Sequence, residues 1–234
     1  MEEPRFLYND SEIFAVYKPA GLHSVQLPNG GGSSLADVLL SKHPHLSQVA
    51  RSPGDAGLIH RLDEDTSGII LGAWTKNSWE HLFEELRSGE IQKTYAALVE
   101  GSMATPSQIT TFIGTPHRGA KKMKVYEKAP PQWARALEGS TVFRDAKHFP
   151  DLNASLVSVA ASPARRHQVR LHCAHTGHPL VGDSLYGATS TLLESLAKGR
   201  SFFLHADSLS LRHPVTAEQI TITCPAEHEI TLPR

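Results

Sequence analysis

Residues 57–72, Gly-Leu-Ile-His-Arg-Leu-Asp-Glu-Asp-Thr-Ser-Gly-Ile-Ile-Leu-Gly, join two short apolar runs through a dense polar insertion. Leu58 and Ile59 predict the end of one buried strand, and Ile69, Ile70 and Leu71 the start of another, because both are apolar runs bounded by glycine. Between them stand His60, Arg61, Asp63, Glu64, Asp65, Thr66 and Ser67. A polar loop pinned at both ends by core strands holds side chains in place without sealing them from solvent. The same residue types also build ordinary turns through side-chain to backbone bonds, and Glu64 and Asp65 are assigned to that role.

A chain of 234 residues with 40% hydrophobic content can bury a sizeable core. We expect one compact domain over 1–234 with an internal cleft. A formal charge of −1 argues against a uniformly basic nucleic-acid binder, but charge is unevenly spread. Arg118, Lys121, Lys122, Lys124 and Lys128 face only Glu127 in their stretch, and Arg165, Arg166 and Arg170 fall together without an acid. Cys173 and Cys224 make no disulfide framework and read as buried thiols of a reducing compartment. The N-terminus lacks the cationic start and apolar core of a signal peptide, and no apolar run approaches ~18 residues. A soluble, cytoplasmic protein with no membrane contact is the expectation.

Local patterning predicts strands at Phe6–Tyr8 and Ile13–Tyr17 across an Asn-Asp-Ser turn. Lys18 is read as a turn lysine, solvated or available to phosphate. Residues 26–34 form a Gly-rich loop, followed by a short helix with Leu35, Val38 and Leu39 on one face, and residues 43–54 form another loop. Residues 77–87 read as a helix with Trp79, Leu82, Phe83 and Leu86 as its core stripe and Gly89 as its stop. Residues 91–100 read as a strand with Ile91, Lys93, Tyr95, Ala97 and Val99 on one face. Residues 105–149 show the least organisation, 156–160 alternate as a strand, and Ser162-Pro163 predicts a helix from Pro163 to about Thr176, stopped by Gly177. That helix start would put Arg165 in the first turn, where unpaired N–H groups favour an anion. His167, His172, Cys173, His175 and His178 crowd this region, but the spacing lacks an i, i+4 pair, and His172 with His175 alone share a helix face. We assign no metal.

The string His60-Arg61-Leu62-Asp63-Glu64-Asp65-Thr66-Ser67-Gly68 resembles the signature of the RluA-type pseudouridine synthases, in which HRLD is followed by two variable residues and TSG. Further segments are similar to that family in the same order: Tyr8–Leu22 to its opening strand and KPAG-type turn, Ile91–Gly101 to its KxY segment, Ser162–Gly187 to its GRTHQIR and GHPIxGDxxYG block, and Leu204–Pro214 to its closing LHA strand. The sequence departs from the pattern at Ala164, where glycine is usual, and at Arg166, where a small hydroxyl residue is usual. The resemblance implies an α+β pseudouridine synthase fold, a mostly antiparallel or mixed sheet flanked by helices and loops, with an active-site cleft across the sheet. Many members of that family carry an N-terminal basic RNA-binding module of the S4 type, but the first ten residues here are acidic, and no such module is expected.

The resemblance implies uridine-to-pseudouridine isomerisation in RNA, a reaction that needs no cofactor. Asp63 is the implied catalytic carboxylate, acting on the sugar as nucleophile or as base. Arg165 is expected to grip Asp63 in a bidentate pair, and Tyr95 to stack on the uracil and take part in moving the C5 proton. Arg61 is expected to fill the space left by a flipped base. His60, Thr66, Lys93 and Arg170 complete the substrate contacts, Leu62 and Val169 supply apolar walls, and Lys121 and Lys122 reach RNA from a hairpin or arm. The partner is a transfer or ribosomal RNA stem-loop read by shape and a few unstacked bases, the protein acting as a monomer without an obligate protein partner. A glycoside hydrolase would want a second carboxylate in a comparable block, and none is present. A silent RNA-binding protein on the same fold predicts loss of Asp63, Tyr95 or Arg165, and all three are retained.

Overall fold

Turn chemistry specifies the first hairpin. Strand β1 (Phe6–Asn9) leads to β2 (Ile13–Lys18), and the Asp10 carboxylate accepts the backbone N–H groups of Glu12 and Ile13 at 2.7 and 2.8 Å. That local bond is what makes aspartate a turn residue. The computed structural model describes residues 4–27, 30, 32–117, 119–128, 130–190, 192, 200–226, 230 and 232. The chain divides into two units, residues 1–93 with 205–226 and residues 94–204 with 227–234.

In the first unit β2 pairs antiparallel with β3 (Ser67–Ala73), from Ile13↔Ala73 to Lys18↔Gly68. Strand β3 pairs in parallel with β9 (Leu204–Arg212) at Ser67↔His205 and Gly68↔Ala206, and β10 (Gln219–Thr223) runs antiparallel to β9. Every residue of β3 is buried, as a strand with both faces covered requires. Helix α1 (Leu35–Lys42) starts at a capping box formed by Ser34 and Asp37. Helix α2 (Lys76–Ser88) starts at Thr75, whose side chain accepts the Ser78 N–H, and stops at Gly89, whose φ of 86° closes the last turn. Its Trp79 and Leu82 are buried, each contributing roughly 1.5–3 kcal/mol of apolar burial. Phe83 is half-buried, stacked on Trp79 at 4.7 Å and covered by the Arg51 guanidinium at 4.5 Å.

The second unit is antiparallel throughout. Strand β8 (Ala154–Ala161) lies between β4 (Gln92–Glu100) and β7 (Leu137–Phe149); β5 (Ser107–Gly114) pairs with β7, and β6 (Lys124–Tyr126) pairs with β5. Helix α3 (Gln168–His175) follows. Burial along β4 alternates from Lys93 to Ala97, the period of two that the sequence predicted. The sheets are mixed and mostly antiparallel with helices alongside, the expected α+β architecture.

Four expectations need correction. Leu58 and Ile59 form no strand; Leu58 makes a single bridge to Gly72. Residues 105–149, expected to be the least organised, hold β5, β6 and the thirteen-residue β7. Lys18 is not a solvated turn residue: its side chain is buried. Helix α3 begins at Gln168, not Pro163, because His167 has φ of +57°, outside helical geometry, and gives no side-chain cap. Arg165 therefore precedes the helix, and the dipole argument for it does not hold. The loop expected at 26–34 and the basic residue Arg118 fall wholly or partly on 28, 29, 31 and 118, outside the described residues.

Candidate active site

The backbone around Asp63 is tied down on both sides. On one side the Ser24 hydroxyl accepts the Leu62 N–H and donates to the Leu62 carbonyl, both at 2.9 Å. On the other, the buried Lys18 ammonium donates to the Glu64 carbonyl at 2.8 Å, and also to the carbonyls of Pro19 and Leu22 at 2.9 and 2.6 Å. The Gly21 N–H donates to the same Glu64 carbonyl, and the Asp63 carbonyl accepts the Thr66 N–H at 3.1 Å. The result is a half-buried Asp63 carboxylate on a fixed turn, between the exposed side chains of Arg61 and Glu64, with Leu62 packed inward. Charge-assisted bonds from a desolvated ammonium are strong anchors. Sequence reasoning misread Lys18 and missed Ser24; the signal was that Lys18 directly continues the apolar run Ile13–Tyr17 and ends a strand that is buried on both faces.

The Thr-Ser-Gly that follows seats β3 against β9. Gly68 has φ of +113°, and a Cβ there would collide with the backbone of Ala206, so only glycine permits the approach. Ser67 hydrogen-bonds His205 Nδ1 at 2.7 Å, and His205 Nε2 meets the Cys224 carbonyl at 2.6 Å. A carbonyl only accepts, so Nε2 carries a proton, and in the neutral ring Nδ1 then accepts from the Ser67 hydroxyl. The Leu-His-Ala strand thus locks the loop's exit to the core.

His60 and Lys93 stand close enough to interact electrostatically. His60 Nε2 accepts the Leu71 N–H at 3.2 Å, so the side chain completes a stretch of β3. Burial, then the Lys93 charge, hold His60 well below the ordinary histidine range, with the Arg61 backbone acting weakly the other way. Its Nδ1, enclosed although the residue is half-exposed overall, has no partner within hydrogen-bonding geometry among the described residues, and neither does the buried Thr66 hydroxyl. Lys93 is 8% exposed, and burial lowers its amine to about 8. Enclosed polar groups without partners are costly in a folded protein, which marks His60 and Thr66 as groups shaped for something other than packing, and the enclosed amine of Lys93 carries a desolvation cost beside them.

The remaining site residues lie in the second unit. Tyr95 is 6% exposed on β4, opposite Val159 of β8. Arg165 Nε donates to the Glu138 carbonyl at 2.9 Å, and its N–H donates to Gln168 Oε1 at 2.8 Å. Gln168 in turn donates to the Ser140 carbonyl and to Thr141, so one buried glutamine sets the turn that carries Arg165. Val169 is buried in α3. Arg170 is buried and bidentate on Asp183 at 2.7 and 2.9 Å, its guanidinium also lying 4.1 Å from the Phe202 ring. Lys121 and Lys122 are exposed on the β5–β6 connection.

The histidine cluster is engaged locally. His172 bonds Thr141 and Thr111 at 2.8 and 2.9 Å, His167 bonds the Tyr186 phenol at 2.8 Å, and His178 bonds the Glu100 carbonyl at 2.9 Å. Burial, with a smaller effect from His175, pushes His172 down to about 4, and burial raises the Cys173 thiol. Both cysteines are buried thiols. Among the described residues no group of three or more His, Cys, Asp or Glu side chains is arranged around a metal position, and no helix is long and apolar enough to cross a membrane.

Comparison with known proteins shows the family of the chain. A family model described as RNA pseudouridylate synthase matches residues 12–175. The chain is 32% identical over 234 residues to ribosomal large subunit pseudouridine synthase D of Xylella fastidiosa and 33% identical over 236 residues to ribosomal large subunit pseudouridine synthase C of Haemophilus ducreyi. These matches cover 96% and 97% of this chain, which spans 66% and 67% of those relatives' own length. The fold is shared with the solved structures of human RNA pseudouridylate synthase domain containing 4 and domain containing 1, at TM-scores of 0.68 and 0.69 and identities of 20% and 22%. Those alignments cover 98% and 97% of this chain and 95% and 84% of the human chains. The family match takes in the Asp63 loop, β4 and α3, and the chain belongs to the RNA pseudouridylate synthase family.

Proposed function

We propose that this protein isomerises uridine to pseudouridine in structured RNA, that large-subunit ribosomal RNA is its substrate class, and that Asp63 is the catalytic carboxylate. The observation that carries the reading is the half-buried Asp63 side chain on a turn held by Lys18 and Ser24. Preorganisation of this kind is what a reacting group needs and what a turn-forming aspartate does not. The names of the relatives in Xylella and Haemophilus support ribosomal RNA over transfer RNA as substrate.

The reaction breaks the N1–C1′ bond, turns the uracil in place and joins C5 to C1′. The C5 proton leaves and N1 takes one up, so atoms and oxidation states balance without a cofactor. Asp63 acts on the sugar, by attack or by proton removal, and both routes use a single carboxylate. Arg165 is assigned to orient it. Tyr95 supplies the ring that holds the turning uracil, stacking being worth roughly 1–3 kcal/mol per base, and its phenol serves the C5 proton. Arg61, exposed beside Asp63, takes the space a flipped nucleotide leaves. Leu62 and Val169 wall the base, and His60, Thr66 and Lys93 offer hydrogen bonds to it. Lys121 and Lys122 meet phosphates. Arg170, occupied by Asp183, supports the site through that carboxylate.

The test compares pseudouridine maps of total RNA from cells with and without the gene, complemented by wild type or by Asp63→Asn. One or more sites in large-subunit ribosomal RNA should vanish on deletion and return only with wild type, the variant losing more than about 100-fold in rate. Restoration by Asp63→Asn, or no lost site, refutes the catalytic assignment. Sites lost only from transfer RNA refute the substrate class.

A further inference from the structure

An exposed tryptophan and a group of cations meet at one end of the second unit's sheet. Trp133, in the β6–β7 connection, is 60% exposed. Its place is fixed by its neighbour: the Ala134 carbonyl accepts the Thr115 N–H at 3.0 Å, just past the end of β5, while Lys124 faces Gly114 from the other side of that strand. Trp133 and the β5–β6 connection bearing Lys121 and Lys122 therefore flank the same strand end. The residues before α3 reach it too, since Arg166 donates to the Lys121 carbonyl at 3.2 Å.

The basic connection is anchored. The Met123 N–H donates to the Tyr186 phenol at 2.9 Å, and the Lys122 ammonium lies 5.3 Å from the Tyr186 ring centroid. Residues 115–138 carry Arg118, Lys121, Lys122, Lys124, Lys128 and Arg135 against Glu127 and Glu138, and Glu127 lies 3.5 Å from His175. An exposed indole offers a broad flat ring on which a base can stack. Here Lys121, Lys122 and Arg166 stand on segments that reach the strand end beside Trp133, which suits a base on the ring and phosphates on the cations. An apolar protein surface would gain nothing from the charge.

We propose that Trp133 is a stacking platform for an unpaired base of single-stranded RNA, with Lys121, Lys122 and Arg166 holding the adjoining phosphates. The inference rests on the reading that the protein acts on RNA. The probe is a labelled oligouridylate of about 12 nucleotides, long enough to cover one stacking site and its flanks. Trp133→Ala should weaken binding about 5- to 150-fold, the loss of a single base–aromatic stack, while Trp133→Phe, which keeps a flat ring, should stay within about threefold of wild type. Binding should quench the intrinsic fluorescence of wild type and not that of Trp133→Phe, in which only Trp74 and Trp79 remain. Lys121→Ala should reduce the slope of log affinity against log salt by about 0.7, one phosphate contact to a single strand.

Equal binding by Trp133→Ala and wild type, or quenching that persists in Trp133→Phe, overturns the proposal and leaves a protein partner as the occupant. The two readings fail separately. Quenching by RNA in a protein that makes no pseudouridine defeats the isomerase and keeps this site. Unchanged binding by Trp133→Ala, with normal pseudouridine maps, defeats the site and keeps the isomerase.

Discussion

An amine enclosed at 8% exposure and lowered to about 8 opposes folding at neutral pH. The sign follows from proton counting. Between pH 8 and the unfolded value of 10.5, the unfolded chain binds more protons at Lys93 than the folded one, so stability rises with pH across that window. Below pH 8 both states are charged and the folded one bears the full desolvation penalty, on the order of 3 kcal/mol. Natural cores avoid such a group unless it has a task. Lys93→Met should therefore raise the melting temperature at pH 7 by about 2–6 °C while lowering pseudouridine formation about tenfold or more. Its stability advantage should shrink between pH 8 and 10.5. Calorimetry alongside a turnover assay checks both, and a melting temperature that falls in the variant would make Lys93 an ordinary packing residue.

At the scale of elements, the Asp63 turn depends on a hydrogen-bond set drawn from the strand and loop forty residues earlier. Replacing Lys18 with methionine takes the ammonium donor from the Pro19 and Leu22 carbonyls and leaves the Glu64 carbonyl with the Gly21 N–H alone. A loss of about 2–4 kcal/mol is expected in urea unfolding. Ser24→Ala is the milder cut, about 1 kcal/mol, and should lower kcat with KM nearly unchanged, because it loosens the acid without touching substrate. A KM effect alone would assign Ser24 to binding. The turn itself was legible in the sequence because HRLD and TSG stand only Glu64 and Asp65 apart and are flanked by apolar runs. Lys18 was not, since nothing local says that three carbonyls surround its ammonium. The start of α3 was misread for a similar reason: Ser162-Pro163 has the chemistry of a helix start, but Gln168 takes the Arg165 N–H and reaches back to β7, a partner about 28 residues away. Strand β7 was hidden because its outer positions are exposed and its pairing with β8 shifts register between Phe143 and Ala146, which breaks the alternation that marks a strand.

For the whole molecule, stability should decline on the acid side through buried histidines in both units. His172 falls to about 4 against an unfolded value of 6.5, and His60 shifts the same way. Below pH 6.5 the unfolded chain takes up protons that these enclosed rings refuse, so stability is fully present above that pH and lost as pH falls toward 4. The loss from His172 alone is on the order of a few kcal/mol. His172→Gln, which keeps a polar group near Thr111 and Thr141 but cannot titrate, should flatten the pH dependence of the urea midpoint between pH 7 and 4.5 even if it is less stable at pH 7. The cysteines report where the opening occurs, for Cys173 lies buried in the second unit beside His172 and Cys224 lies buried in the first. A disulfide reagent that reacts at acidic pH should label Cys173 faster at pH 5 than at pH 7 in wild type, with a smaller acceleration in His172→Gln. If the acceleration is the same in both proteins, His172 is not the group through which acid opens the second unit.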